Sequence, residues 1–179
     1  KKHSQFIYIL ARLGKDFGFK IWVGRREQSD TYKNERLQVL CDFDKLLLQG
    51  IVIDDLSKVS NIDLLWVRDG LISYTFEVEN STTITNAIRR NKHIPYRGVK
   101  KIIVMPKKTR LRNRIIELQE IGIIKREEFN EWRVLYYSEL ERRFNSEELQ
   151  TLQDLEDLMK PLHEIKSLGE KQVTLQGWA

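Results

Sequence analysis

The stretch from Ile62 to Glu79 constrains the fold more than any other part of the chain. Ile62-Asp63-Leu64-Leu65-Trp66-Val67 and Leu71 to Glu79 are both β-rich, and between them lies Arg68-Asp69-Gly70, whose Asp-Gly pair is a strong turn signal. The pattern predicts a β-hairpin. Ser81 or Thr82 can then cap a helix running to about His93, with Ile84, Ala87 and Ile88 facing inward, and Lys101 to Met105 reads as a buried strand. A strand, a helix and a strand in succession make a right-handed crossover. This sets the two strands parallel and puts the second deep in the sheet.

The flanking segments extend this unit. Phe6, Ile9, Leu10 and Leu13 recur at helical spacing over Ser4 to Phe17, with Gly14 and Gly18 expected to mark the end of that helix. Phe19 to Val23 alternates as a strand and leads into the polar stretch 24–34. Residues 35–48 are ambiguous, with Leu37, Leu40 and Cys41 hinting at a helix. Thr109 to Glu120 is a helix with Leu111, Ile115 and Leu118 inward, and Gly122 ends it. Trp132 to Tyr137 is expected to close the sheet, with one of Tyr136 and Tyr137 packed and the other outward. From Ser138 the pattern is helical, and Asn145-Ser146-Glu147-Glu148 reads as a fresh helix start. The expected fold is α/β: a mixed central sheet flanked by helices, in the order αβββαβ, with a helical C-terminal tail. Residues 1–144 form the domain, and 145–179 an acidic tail or the start of a linker. Trp22, Trp66 and Trp132 fall in strands and are expected in the core, Trp178 outside it.

Composition excludes several classes. The chain has 179 residues, 41% of them hydrophobic, which is enough to enclose a core and excludes disorder as the main state. The single cysteine, Cys41, excludes a disulfide framework and a cysteine-based zinc site, and reads as a small buried hydrophobe. No apolar run reaches the ~18–20 residues that span a bilayer, and no signal peptide opens the chain, so a cytoplasmic protein with no membrane partner is expected. A start at Lys1 without methionine suggests a piece of something longer. No glycine-rich phosphate loop, nucleophile elbow or histidine-based triad is present. His3, His93 and His163 are too scattered to suggest a metal site, and His93 is read as a phosphate contact or helix end.

The formal charge of +5 is unevenly distributed. Residues 80–116 carry eleven basic side chains and no acid: Arg89, Arg90, Lys92, Arg97, Lys100, Lys101, Lys107, Lys108, Arg110, Arg112 and Arg114. The run is interrupted by Ile102 to Met105, so it is folded and not a basic tail. Such a block is the electrostatic footprint of a polyanion contact of the nucleic-acid kind.

Asp63, Glu77 and Glu79 are charged residues inside strands that otherwise want to be buried, a conflict that marks functional positions. If Arg68-Asp69-Gly70 is a three-residue loop with Gly70 at positive φ in a bulge, Asp63 stands opposite Thr75 and diagonal to Glu77. One face then carries Ile62, Leu64, Trp66, Ile72, Tyr74, Phe76 and Val78. Two carboxylates ~7 Å apart repel by roughly 2 kcal/mol at an effective dielectric near 20. A divalent cation such as Mg²⁺ would offset this, and so would a structural ion pair with Arg89 or Arg90. Acids that hold Mg²⁺ beside bases that hold phosphate are the parts of a phosphodiester-cleaving site.

In these positions the chain resembles the PD-(D/E)xK, or restriction-endonuclease-like, nuclease superfamily over residues 3–144. Asn61-Ile62-Asp63 resembles its first acidic element, and Phe76-Glu77-Val78-Glu79-Asn80-Ser81-Thr82 the second in its E-x-E variant. The resemblance implies a DNA endonuclease dependent on Mg²⁺ or Mn²⁺, with Asp63, Glu77, Glu79 and the backbone carbonyl of Val78 as metal ligands. It further implies that Asp63, Glu77 and Glu79 are catalytic and that Arg89, Arg90, Lys92, Arg97, Lys107, Lys108, Arg110, Arg112 and Arg114 bind DNA. Glu79 stands where the family has lysine, and Lys107 or Arg89 is a spatial substitute. Gln5 is the candidate polar residue on the opening helix. A homodimer, and attachment to a larger restriction or DNA-processing protein, fit this reading. The alternatives are a catalytically silent DNA-binding module of the same fold and a protein-interaction scaffold whose basic surface meets an acidic partner.

Overall fold

The computed structural model describes residues 2–81 and 84–165, so the expectations for Thr82, for the side chain of His163 and for Trp178 lie outside the described residues. Helix α1 (Lys2–Asp16) leads to β1 (Lys20–Val23), a small hairpin of β2 (Thr31–Tyr32) and β3 (Glu35–Arg36), a 3₁₀ turn at 37–40, and α2 (Ile53–Val59). There follow β4 (Leu64–Arg68), β5 (Leu71–Val78), α3 (Ile84–Asn91), β6 (Lys100–Met105), α4 (Thr109–Glu120), β7 (Trp132–Tyr136), α5 (Tyr137–Asn145), α6 (Leu152–Glu156) and β8 (Lys160–Pro161). The main sheet runs β1-β4-β5-β6-β7-β8. β5, β6 and β7 are mutually parallel; β1 to β4, β4 to β5 and β7 to β8 are antiparallel. The mixed α/β sheet flanked by helices is as expected, as is the central parallel crossover.

The hairpin differs from expectation in register. Its turn has two residues, Asp69 and Gly70, with φ of 53° and 75°, the left-handed pair that a tight hairpin turn matched to strand twist requires. Arg68 pairs with Leu71 and Val67 with Ile72, but Trp66 pairs with Tyr74, so Ser73 is an extra residue bulged from β5. The irregularity lies within the strand and not at the turn. Beyond the bulge Leu64 faces Phe76, and one further step sets Asp63 across from Glu77, not Thr75. The bulge also turns Ile72 onto the face of Leu65 and Val67, away from Trp66, Tyr74 and Phe76.

α1 covers one face of the sheet with Phe6, Ile7, Leu10 and Leu13 against Trp66, Phe76 and Val104. Gly14 lies inside the helix instead of ending it: a Cβ there would come within 2.4 Å of Trp66 Nε1, whose N–H donates to the Leu10 carbonyl at 3.1 Å. On the other face α3 and α4 present Ile84, Ile88, Leu111, Ile115 and Leu118 to Ile103 and Val134, the inward residues expected. Trp22, Trp66 and Trp132 are buried, whereas Cys41, Tyr136 and Tyr137 are each half-buried. Gly122, at φ 75°, follows the end of α4.

The stretch 145–148 ends α5 and starts no helix; α6 begins later, capped by Thr151 and Asp154. β7 does not close the sheet, because β8 pairs with it at Arg133 and Val134. Leu149, Leu155, Leu158 and Met159 enter the core with α1, and Leu162 joins the opposite face. Glu156 ties this segment to the sheet by bonds from Tyr74 and Lys100.

Candidate active site

Strand directions gather the acids at one edge. β5 and β6 are parallel, so the edge where β5 ends at Val78 is also where β6 ends at Met105 and where the antiparallel β4 begins. β1, antiparallel to β4, ends at the same edge, so the loop after Val23 returns there. Asp63 precedes β4, Glu77 and Glu79 sit at the end of β5, Glu27 lies in the loop after β1, and His3 is in the first turn of α1.

Glu77 is fully buried. Arg90 of α3 grips it with two bonds, Nε to Oε1 at 3.1 Å and Nη2 to Oε2 at 2.6 Å, while Asn91 Nδ2 donates to Oε1 at 3.2 Å and the Thr75 hydroxyl donates to Asn91 Oδ1 at 2.5 Å. Burial first, then the neighbouring Asp63, pushes the Glu77 carboxyl well above the usual carboxylate range, and Arg90 pulls against both. Burial also disfavours the Arg90 charge, but Glu77, Asp63 and Glu79 outweigh it and hold the guanidinium proton more tightly than usual. A bidentate guanidinium at these distances stabilises the ionised form of Glu77 against both. Of the two partners open to these acids, Arg90 therefore takes Glu77. Glu79 is half-buried; its N–H donates to the Val104 carbonyl, and its own carbonyl accepts from the Tyr137 hydroxyl at 2.9 Å. Burial, Glu79 and Asp63 together push the Tyr137 hydroxyl far up.

Asp63 is almost as buried as Glu77, and its Oδ2 accepts from the Val78 N–H at 2.8 Å and pairs with His3 Nε2 at 3.1 Å. Arg90 Nη2 stands 3.9 Å from its Oδ1. His3, Glu27 and Asp63 each offer one ligand atom, and the three atoms lie within 4.8 Å of one another. Glu27 Oε2 is buried without a hydrogen-bond partner. Burial, with Asp63 beside it, pushes the Glu27 carboxyl up to about 7. Burial opposes the His3 proton, but the bond to Asp63 and the charges of Asp63, Glu27 and Asp30 raise its pKa overall.

His3 thus occupies the place expected of Gln5, which instead donates to Glu141 of α5 at 3.0 Å. Sequence reasoning missed Glu27 entirely and set His3 aside as scattered. The one available signal was an acid and a histidine placed beside the ends of elements that a sheet reunites. His93, expected as a phosphate contact or helix end, lies just past the end of α3, where its Nδ1 pairs with Asp55 at 2.8 Å.

The basic block divides in space. Arg90 serves the acids, Lys92 approaches Glu128 at 4.0 Å, buried Lys101 pairs with Glu131 at 2.9 Å, Lys100 pairs with Glu156, and Arg114 bonds Glu117 and Thr85. Among the described residues Arg89, Arg97, Lys107, Lys108 and Arg110 are exposed and form no ion pair; Lys107 lies over the Tyr136 ring. Arg112 is half-buried. Lys107 and Lys108 follow β6 at the edge that holds the acids, whereas Arg97 precedes β6 at the opposite edge, near Tyr96 and the hairpin turn.

Residues 1–166 match the family described as the Type II restriction enzyme NmeDI C-terminal domain. A curated relative, the Type II restriction enzyme NmeDI of Neisseria meningitidis serogroup C, is 28% identical over 124 residues, covering 62% of this chain and 34% of that protein. The match therefore spans about a third of the relative's length. No solved structure matches the chain. No helix among the described residues is long and apolar enough to cross a membrane.

Proposed function

The chain belongs to the family of C-terminal domains of the Type II restriction enzyme NmeDI, and from that premise we propose that it is a metal-dependent DNA endonuclease domain hydrolysing phosphodiester bonds of double-stranded DNA. The observation that carries this reading is the convergence of Asp63, Glu77, Glu79 and Glu27 on one sheet edge, beside the exposed Lys107 and Lys108. A buried carboxylate oxygen without a partner, on Glu27, fits a cation there. Asp63, Glu77 and Glu79, with the Val78 carbonyl, are the ligands expected on the hairpin side, and of these Glu77 has both oxygens bonded to Arg90 and Asn91. Mg²⁺ or Mn²⁺, when bound, supplies charge neutralisation at the phosphate and lowers the pKa of water. Glu77 and Arg90 fix the end of β5 and the start of the acid cluster, and Arg90 holds its charge next to Asp63, where a scissile phosphate would add negative charge. Lys107, Lys108, Arg89 and Arg110 contribute backbone contacts that position the duplex without reading its sequence.

A second reading, a DNA-binding module of a larger restriction protein that does not cut, is favoured by one observation: both oxygens of Glu77 are occupied by Arg90 and Asn91. Incubation with plasmid DNA and Mg²⁺ or Mn²⁺ separates the two. Cleavage by wild type, lost in Asp63→Ala while duplex binding persists, supports the enzyme. Wild type that binds DNA and never cuts supports the module. Cutting both strands would call for two active sites, which a homodimer supplies.

A further inference from the structure

We infer that a divalent cation is held by His3 Nε2 together with one carboxylate oxygen each from Glu27 and Asp63, a ligand set drawn from α1 and the loop after β1 and not from the hairpin acids alone. The inference deepens the proposed function and rests on it only in sharing Asp63. The three atoms come from separate elements yet lie within 4.8 Å of one another. An octahedral ion with bonds of ~2.1 Å spaces neighbouring ligands by ~3 Å and opposite ones by ~4.2 Å, and His3 Nε2 already stands 3.1 Å from Asp63 Oδ2.

Three further features agree. Glu27 Oε2 is buried and accepts no hydrogen bond, a costly state for a carboxylate unless something else satisfies it. Gly24 leaves the room this oxygen occupies: a Cβ there would come within 2.5 Å of Glu27 Oε2 and 2.5 Å of the Ile62 carbonyl. The loop that aims Glu27 is held by its N–H and that of Gln28 to the Gly24 carbonyl, and by Gln28 Nε2 to the Val23 carbonyl at 2.9 Å. Glu77, by contrast, has both oxygens committed to Arg90 and Asn91. One imidazole with two carboxylates is a mixed nitrogen and oxygen set, better matched to a first-row transition ion such as Mn²⁺ than to Mg²⁺ or Ca²⁺, which take oxygen ligands.

The test uses the whole chain, stripped with EDTA and titrated with MnCl₂ in the absence of DNA, following loss of the free Mn²⁺ electron-paramagnetic-resonance signal. Wild type should bind one ion. Glu27→Gln and His3→Gln should each raise the dissociation constant at least tenfold. Asp30→Asn, which removes a nearby charge that is not a ligand, should change it less than threefold, and circular dichroism confirms that each variant is folded. Wild type that binds no Mn²⁺, or Glu27→Gln and His3→Gln that bind as wild type does, overturns the site. An Asp30→Asn loss equal to that of Glu27→Gln would also overturn it, reducing the effect to general charge. The readout is independent of cleavage: a chain that binds Mn²⁺ here and never cuts refutes the nuclease reading and leaves the site standing, while cleavage with ligand variants that bind normally does the reverse.

Discussion

Replacing Arg90 by methionine keeps much of the side-chain bulk and removes the one cation that, among the described residues, is bonded to the fully buried Glu77. The charges of such a pair, about 4 Å apart at an effective dielectric near 20, attract by about 4 kcal/mol. Removing one partner of a buried pair typically costs about 3–5 kcal/mol. Arg90 keeps 21% of its side chain in solvent, which places the expected loss at the lower end, about 3 kcal/mol at pH 8. The cost should depend on pH. Without Arg90, burial and Asp63 leave the Glu77 carboxyl raised with no cation opposing them and only the Asn91 amide bonded to it. A carboxyl whose folded pKa exceeds its unfolded value favours the fold fully below the unfolded pKa, near 4.5, and that contribution is lost as pH rises through the folded value. The variant should therefore be nearly as stable as wild type at pH 4.5 and lose ground above it, by at most about 1.4 kcal/mol per pH unit for one proton. Urea denaturation at half-unit intervals from pH 4.5 to 8, with slopes checked for two-state behaviour, measures this. Adding Glu77→Gln to the variant should recover most of the loss at pH 8. A deficit of the same size at pH 4.5 and pH 8, or one the second substitution fails to relieve, would refute the claim that Arg90 acts by compensating a buried charge.

The metal-free chain should itself lose about 1–2 kcal/mol between pH 4.5 and 8 through Glu27, whose carboxyl is raised to about 7 and partly screened by water, and Glu27→Gln should flatten that part of the profile in thermal melts. Gly14→Ala should destabilise by roughly 1–3 kcal/mol in urea although alanine is the better helix former, because its methyl would meet the Trp66 indole; a gain in stability would mean Trp66 can move aside. Lys107→Ala with Lys108→Ala should weaken duplex binding at all sequences and reduce the slope of log affinity against log salt by about 2, read by fluorescence anisotropy; an unchanged slope would remove these lysines from the interface. Leu155→Ala should cost about 2–5 kcal/mol, as for a core leucine; a loss under 0.5 kcal/mol would show that α6 is dispensable to the domain.

Strands, helices and their inward residues were legible because each follows from local periodicity: Leu111, Ile115 and Leu118 recur at helical spacing and are buried, and the crossover from β5 through α3 to β6 obeys the chirality of such connections. Register was not legible. An Asp-Gly turn is visible, but a bulge at Ser73 depends on which of two registers places Leu64, Trp66, Tyr74 and Phe76 together against α1, a comparison that needs the helix already docked. α2 went unseen because it is short, seven residues, and its first apolar residue, Ile53, is exposed, which leaves only Leu56 and Val59 to mark an inward face. The same reasoning explains the acidic C-terminal segment: Glu147, Glu148 and Asp157 are exposed while Leu149, Leu155 and Leu158, sparse in sequence, point inward.

The site divides along the same line. Asp63, Glu77 and Glu79 stand out because charge within a β-rich strand conflicts with burial, and conflict is visible one residue at a time. Glu27 and His3 lie in a polar loop and at a helix start, where a charged residue contradicts nothing locally, so only the return of β1 to the edge shared with β4 makes them neighbours of Asp63. The acid-free band misleads in the opposite direction. Counted along the chain it is a uniform block, yet the fold brings Glu77, Glu117, Glu128, Glu131 and Glu156 to its arginines and lysines. What remains uncompensated is smaller and better placed. Lys107 and Lys108 follow β6, at the edge where β5 delivers Glu77 and Glu79, because parallel neighbours must end on the same side. In a sheet of this topology strand direction alone brings Lys107 and Lys108 to the edge that holds the acids, and by the same rule Arg97, before β6, lies at the opposite edge.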